Sequence, residues 1–178
     1  MSSGIPASGI PGSASEVPSS VNSQYTTGLP AGCVRLLNAK KRSGLTFEQL
    51  AVATGHDEMF VAAIFYNQAT PSRGDLNKFA ELLGLSGEAV IEDFSLSGLP
   101  MRGGAGAVSM PPADPLLHRF YEALMLYGNP LRAVITEKFG DGIMSAVDFR
   151  VNVAKVPKPD GDRVRVTFDG KFLPYKRF

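Results

Sequence analysis

The spacing of apolar residues divides the chain into a helical part and a β-strand part. Between residues 29 and 139 apolar side chains recur every three or four positions, as they do along one face of an α-helix. From residue 147 the apolar and polar residues alternate, over 147–154 and 163–169, with the turn PKPDGD between the two runs. The pattern predicts a mainly α protein with a small C-terminal β-hairpin.

Capping residues and glycines divide residues 29–94 into five short helices. Thr46 is predicted to cap the second helix and Asp75 the fourth, and glycines end three of them (Gly44, Gly55 and Gly84). The run LTFEQLAVATG, followed by another helix, resembles the helix-turn-helix of phage repressors. We therefore expect a repressor-like helical bundle in this part of the chain.

Two further helices are predicted before the hairpin. Asp114 can cap the first of them, and Pro115 at its first position loses no hydrogen bond. Gly128 is expected to end that helix, Pro130 to begin the next, and Gly140 to end it.

Segments rich in Ser, Gly and Pro separate the domains. Residues 1–28 have this composition and are predicted to form a disordered extension. Residues 95–112 have it too and are predicted to be a linker. The domains are therefore expected at 29–94 and 113–178.

The composition disfavours several classes of partner. A net charge of +1 and the absence of any apolar run near ~18 residues argue against nucleic acid and membrane. The single cysteine, Cys33, excludes an intrachain disulfide and favours a reducing compartment, so we expect a cytoplasmic location. Two histidines are too few for a typical zinc site unless carboxylates contribute.

Charge also bears on the alternative function, a DNA-binding regulator that dimerises through its C-terminal hairpin. Residues 46–92 contain seven acidic and two basic residues, a balance of −5. The helix in the position of a recognition helix begins with Asp57 and Glu58 and carries no Lys or Arg up to Gln68. Such a surface repels DNA phosphates, so an enzyme or a packing role is favoured over this alternative.

Three polar residues stand out in the apolar run after residue 113. Arg119 and Glu122 are three residues apart on a predicted helix, so their side chains are neighbours, and Ser145 follows the turn at Asp141 and Gly142. Taken alone, such a pair is typical of a solvated ion pair, and such a serine of a cap. The residues themselves leave a structural and a catalytic role open.

The segments RFYEALMLYG, EKFGDGIMSAVDF and DGKFLPYKRF closely resemble those of cyanases, also called cyanate hydratases or cyanate lyases. The resemblance covers roughly residues 30–178 and indicates a eukaryotic-type member with an N-terminal extension. It implies that residues 113–178 form a catalytic and oligomerisation domain. In such enzymes the C-terminal strands intertwine in a dimer, and dimers assemble into a homodecamer. An isolated hairpin is marginally stable and must pack on a helix or on another chain, and the second choice agrees with such an assembly.

The resemblance also implies an activity and a site. Cyanases convert cyanate and bicarbonate into carbamate and carbon dioxide, and carbamate then breaks down to ammonia. They need no metal or organic cofactor, since bicarbonate is a substrate. The matching positions make Arg119, Glu122 and Ser145 the expected catalytic residues, in sites built from several subunits. A guanidinium suits two anionic substrates, whereas Glu122 is expected to orient Arg119 or to hold a proton.

Overall fold

A computed structural model of the protein describes residues 26–100 and 102–176, so the predicted extension lies almost entirely outside the described residues. Within these residues six helices, one fewer than predicted, are followed by two antiparallel strands, and the strands are those that the alternation of apolar residues predicted. The elements are α1 (Ala31–Ser43), α2 (Phe47–Thr54), α3 (Glu58–Phe65), α4 (Arg73–Leu83), α5 (Gly87–Ser97), α6 (Pro115–Phe139), β1 (Gly142–Val156) and β2 (Arg163–Pro174). The predicted class, mainly α with a small C-terminal hairpin, is confirmed.

Helices α1 to α5 enclose the hydrophobic core. Each contributes at least one fully buried side chain, among them Leu36, Leu50, Ile64, Phe65, Phe79 and Val90. The ring of Phe65 lies at the centre and meets Phe47 and Phe79 edge-on, with centroids 5.3 and 5.4 Å away. Burying each such side chain contributes about 1.5–3 kcal/mol, and the buried apolar residues of the described chain are concentrated in this bundle.

The caps of the short helices follow the sequence with one correction. Thr46 caps α2 in a reciprocal capping box with Gln49, as predicted. Helix α4, however, is capped by Ser72, and the prediction that Asp75 caps it was wrong. Asp75 occupies the third helical position, where its carboxylate accepts a hydrogen bond from the Ser72 backbone N–H.

Asp75 also joins α4 to the loop between α2 and α3. Its Oδ1 lies 2.7 Å from His56 Nε2, and the residue is buried. Burial opposes ionisation of the carboxyl, but the hydrogen bonds from Ser72 and the contact with His56 outweigh it, so the pKa of Asp75 is lowered. This contact fixes the helix-turn-helix pair, α2 and α3, against the rest of the bundle.

Helix α6 is one continuous helix, so the predicted break at Gly128 and restart at Pro130 were wrong. Its start and end were predicted correctly, since Asp114 accepts a hydrogen bond from the Leu117 N–H and Gly140 follows the last helical residue. A glycine that ends a helix commonly adopts a positive φ, as Gly140 does at 84°, whereas Gly128 does not and the helix continues through it. The 25 residues of α6 span about 38 Å.

The hairpin is longer than the alternation indicated. Strand β1 begins at Gly142, which pairs with Pro174, and the ladder runs to Val156, which pairs with Arg163. The ladder is interrupted between Met144 and Phe149 by a bulge. Ser145, expected just beyond a turn, therefore lies inside β1 and at the start of this bulge.

The predicted linker is anchored to the bundle at its centre. The side chain of Gln68 accepts a hydrogen bond from Gly103 N–H and donates one to the Ala105 carbonyl, both at 3.2 Å. Helix α5 continues to Ser97, into the first residues assigned to the linker. The segment thus holds a defined position on the way to α6.

Candidate active site

Arg119 and Glu122 lie in the first turns of α6 and contact each other. Arg119 Nη1 donates a hydrogen bond to Glu122 Oε2 at 2.6 Å. Their side chains are 73% and 47% exposed, so in the single chain this is a solvated pair whose contribution to stability is small. The pair could still bind an anion, because Glu122 engages only one nitrogen of the guanidinium and leaves the other N–H groups of Arg119 available as donors.

Ser145 has a more specific environment in the bulge of β1. Its Oγ accepts hydrogen bonds from the backbone N–H groups of Val147 at 3.1 Å and Asp148 at 2.9 Å, and the residue is only 7% exposed. A hydroxyl has two acceptor lone pairs and one donor hydrogen. With both lone pairs engaged, its O–H remains as a donor, polarised by the two bonds it accepts.

Within the described part of the single chain, hydrogen bonds join only two of the three residues, Arg119 and Glu122. Among the described residues, Ser145 shares no hydrogen bond with Arg119 or Glu122, and its polar contacts stay within the bulge. Sequence reasoning identified Ser145 but missed its partners, Val147 and Asp148, because they act through backbone N–H groups whose direction depends on the bulge. An exposed pair on α6 and a donor in the hairpin are thus separate halves of the candidate site.

The surface around the Arg119–Glu122 pair is strongly apolar. Along α6, all of which is described, no residue is buried. Its exposed apolar side chains include Leu116, Phe120, Leu124, Met125, Leu126, Tyr127, Leu131, Val134, Ile135 and Phe139. Between α6 and Phe168 of β2 lies a groove of about 500 Å³ with an entirely apolar lining. Exposed apolar surface of this extent is typical of an interaction surface.

Side chains that commonly bind metals do not form a cluster in the described part of the chain. No three His, Cys, Asp or Glu residues within it are placed to hold a metal ion. His56 is engaged with Asp75, and His118 Nδ1 lies 3.1 Å from the Pro112 carbonyl oxygen. The helices of residues 26–100 and 102–176 also include none whose length and apolarity would suffice for a membrane span.

Comparison with known proteins gives one consistent result. The family model of the cyanate lyase C-terminal domain matches residues 109–177, which contain all three candidate residues. Cyanate hydratase from Laccaria bicolor is 45% identical over 88% of this chain and 93% of its own length, and that from Synechococcus sp. is 51% identical over 80% and 92%. The crystal structure of cyanase from T. urticae matches with a TM-score of 0.69 and 34% identity, over 81% of this chain and 97% of that one.

The fold, a helix-turn-helix-like bundle followed by a long helix and a terminal hairpin, is thus that of a known enzyme. Arg119 and Ser145 in the candidate site provide hydrogen-bond donors for anions. The protein is an enzyme of the lyase class. The chain belongs to the cyanate hydratase, or cyanase, family. The resemblance noted in the sequence is therefore confirmed.

Proposed function

We propose that the protein decomposes cyanate with bicarbonate as its second substrate. The observation that carries the proposal is membership of the cyanate hydratase family over most of the chain, including the C-terminal domain at 109–177. The geometry supports it, since Arg119 and Ser145 both offer hydrogen-bond donors and both substrates are anions.

In the proposed reaction an oxygen of bicarbonate attacks the cyanate carbon and forms a C–O bond. The nitrogen of the resulting mixed anhydride takes up one proton from solvent and the hydroxyl proton of the bicarbonate half, and that half leaves as carbon dioxide when the bond between its carbon and the bridging oxygen breaks, which leaves carbamate. Carbamate takes up a further proton, and its C–N bond breaks to give ammonia and a second carbon dioxide. Negative charge from two ions is concentrated on one intermediate, and fixed donors aimed at such charge commonly supply the largest catalytic effect.

The three residues have distinct proposed roles. Arg119 binds the anionic intermediate through the guanidinium N–H groups that Glu122 does not engage. Ser145 donates its O–H to an oxygen or nitrogen of the bound anions, since its lone pairs already accept two backbone N–H groups. Glu122 holds Arg119 in orientation through the 2.6 Å contact, and this geometry favours orientation over proton storage as its role.

The enzyme is proposed to work without a resident metal or organic cofactor. Guanidinium and hydroxyl donors provide the charge stabilisation that a Lewis acid would otherwise supply. The test is ammonia release from cyanate in enzyme dialysed against a strong chelator, with and without bicarbonate. Full activity with bicarbonate and loss without it supports the proposal; loss on chelation that added metal restores would contradict it.

A second copy of the chain is the proposed partner of the apolar surface, in a homodecamer built from dimers. Burying each exposed Leu or Phe of α6 contributes about 1.5–3 kcal/mol, so the side chains along this helix suffice for a stable interface. In the single chain the largely exposed hairpin meets α6 through Phe139, whose ring stacks on Phe172 with centroids 5.2 Å apart, and a second copy would extend this packing. Light scattering coupled to size exclusion tests this: a monomer at micromolar concentration would contradict it.

The same assembly is proposed to complete the active site. In this proposal Arg119 and Glu122 meet the Ser145 of another copy, since no hydrogen bond joins them to Ser145 within the described residues of one chain. Bicarbonate and cyanate would be enclosed between subunits, away from bulk water, where electrostatic interactions are stronger.

A further inference from the structure

The close approach between the two strands at Ser145 depends on a glycine, and we propose that Gly170 is a positioning residue for Ser145. The inference rests on the proposed function, in which the Ser145 hydroxyl donates to the bound anions. Gly170 touches no substrate in this account. It acts by allowing the backbone of Ser145 to lie where its Oγ reaches two N–H groups.

The pairing of the hairpin shows why this position is special. Phe149 pairs with Gly170, and the next pair along the strand is Met144 with Phe172. Residues 145–148 of β1 therefore lie opposite Lys171 alone. The extra residues of β1 form the bulge. The backbone of Ser145, at the start of the bulge, occupies the space that a side chain at Gly170 would need.

The space at Gly170 is filled by Ser145 itself. A Cβ on Gly170 would lie 2.5 Å from the Ser145 carbonyl oxygen, 2.7 Å from Met144 Cγ and 3.1 Å from Phe149 Cδ2. The Met144 side chain is flexible and can move away. The carbonyl of Ser145 belongs to the backbone and cannot move without turning the peptide between Ser145 and Ala146.

Turning that peptide alters the donor geometry of the serine. The Oγ of Ser145 is held by the N–H groups two and three residues later, Val147 and Asp148. These two N–H groups belong to the next two peptides after the one that a Cβ at Gly170 would displace. Any side chain at Gly170 would thus shift the hydroxyl or break these hydrogen bonds, and the catalytic donor would be misplaced while the strands remain paired.

The chain provides a matched control for this effect in Gly142. A Cβ there would be equally crowded in the same hairpin, 2.5 Å from the Leu173 carbonyl oxygen, 2.6 Å from Phe172 Cζ and 2.9 Å from Pro174 Cα. Phe172 pairs with Met144 beside the bulge, but the crowded atom is the far end of its side chain and can move without shifting the backbone of Ser145. None of these neighbours belongs to the bulge. Gly142→Ala therefore strains the same two strands without pressing on Ser145, and Gly74→Ala, whose Cβ meets nothing closer than 3.5 Å, controls for the substitution itself.

The experiment is a double-mutant cycle on kcat in the assembled enzyme. Gly170→Ala and Ser145→Ala should each lower kcat by about 10²-fold, the scale of one lost transition-state donor. The double variant should be no slower than Ser145→Ala alone, because both changes remove the same interaction. The effect of Gly142→Ala should instead multiply with that of Ser145→Ala, and Gly74→Ala should retain the wild-type rate.

Several results would overturn the inference. Where Ser145→Ala lowers kcat, a wild-type rate in Gly170→Ala would do so, as would losses that multiply in the Gly170→Ala, Ser145→Ala double variant. If Gly170→Ala does not assemble, it is combined with Met144→Ala, which removes the crowded Cγ and leaves the carbonyl contact. Failure of both to assemble, while Gly142→Ala assembles, would assign Gly170 to folding and also refute the inference.

A structural readout separates this inference from the proposed function. If Ser145→Ala keeps full activity, the catalytic role of Ser145 is refuted, and the crystal structure of Gly170→Ala then decides the inference. Displacement of Ser145 Oγ from Val147 N and Asp148 N in that structure supports positioning by Gly170. An unchanged bulge would refute it, whatever the activity.

Discussion

Mixing two inactive variants tests whether active sites are shared between chains. Arg119→Ala removes the guanidinium from α6, and Ser145→Ala removes the hydroxyl from the hairpin. Each homo-oligomer is expected to be inactive, since every site lacks one donor. The structure motivates the experiment because Arg119 is 73% exposed on a helix without buried residues among those described, whereas Ser145 is buried within the hairpin of the same chain.

The expected recovery follows from counting chains. After co-unfolding and refolding at equal ratio, half of the chains retain Arg119 and the other half retain Ser145. If each site takes one residue from each of two chains, about one quarter of the sites receive both, so about one quarter of the wild-type rate should return. The assay is ammonia release from cyanate and bicarbonate as a function of mixing ratio, and it should peak at equal amounts.

The control variant is Gly74→Ala, which lies in the bundle away from the site. Mixed with Arg119→Ala, it should give activity proportional to its share of the chains, without a maximum at an intermediate ratio. Tagged co-purification establishes that hybrids form. Hybrids that remain inactive at every mixing ratio would show that each site lies within one chain, and the account of a shared site would be wrong.

Three further predictions concern catalysis, titration and nucleic acid. Arg119→Lys keeps the charge but loses the planar fork, so we expect normal assembly and a kcat at least ~10²-fold lower, whereas near wild-type turnover would make Arg119 a structural ion pair. Burial raises the pKa of the Cys33 thiol to about 11, against ~8.5 for an exposed thiol. Since the unfolded chain loses this proton first, urea unfolding midpoints should fall as pH rises from about 8.5 towards 11, and less so in Cys33→Ala. Because residues 46–92 carry a net charge of −5, the protein should not shift DNA in a gel in a salt-sensitive, sequence-selective way at sub-micromolar concentration. Such a shift would support the DNA-binding alternative.

Most of the fold could be predicted because its signals are local. Thr46 and Asp114 are caps that sit directly before apolar helical spacing, and both were placed correctly. Ser72 and Asp75 are three residues apart and either could cap a helix, so the choice between them depended on the reciprocal hydrogen bonds that the fold forms. At Gly128 the local stop signal was present, but the backbone remains helical.

The site was predictable only in part. The contact between Arg119 and Glu122 could be predicted, because residues three apart on a helix are always neighbours. The surroundings of Ser145 could not be read in this way, because the bulge depends on how β1 pairs with a strand some twenty-five residues later in the sequence. Gly170, directly after the alternating run 163–169, was the available signal, since a glycine in a strand often marks a bulge or a close backbone approach.

The most direct test of the central claim follows the carbon of both substrates. Cyanate labelled with ¹³C is supplied with unlabelled bicarbonate, and ammonia and carbon dioxide are measured before carbon dioxide and bicarbonate equilibrate. Each ammonia should be accompanied by one labelled and one unlabelled carbon dioxide, since each substrate contributes its carbon. Equal amounts of ammonia and carbon dioxide, with every carbon dioxide labelled, would show simple hydrolysis of cyanate and contradict bicarbonate as a substrate.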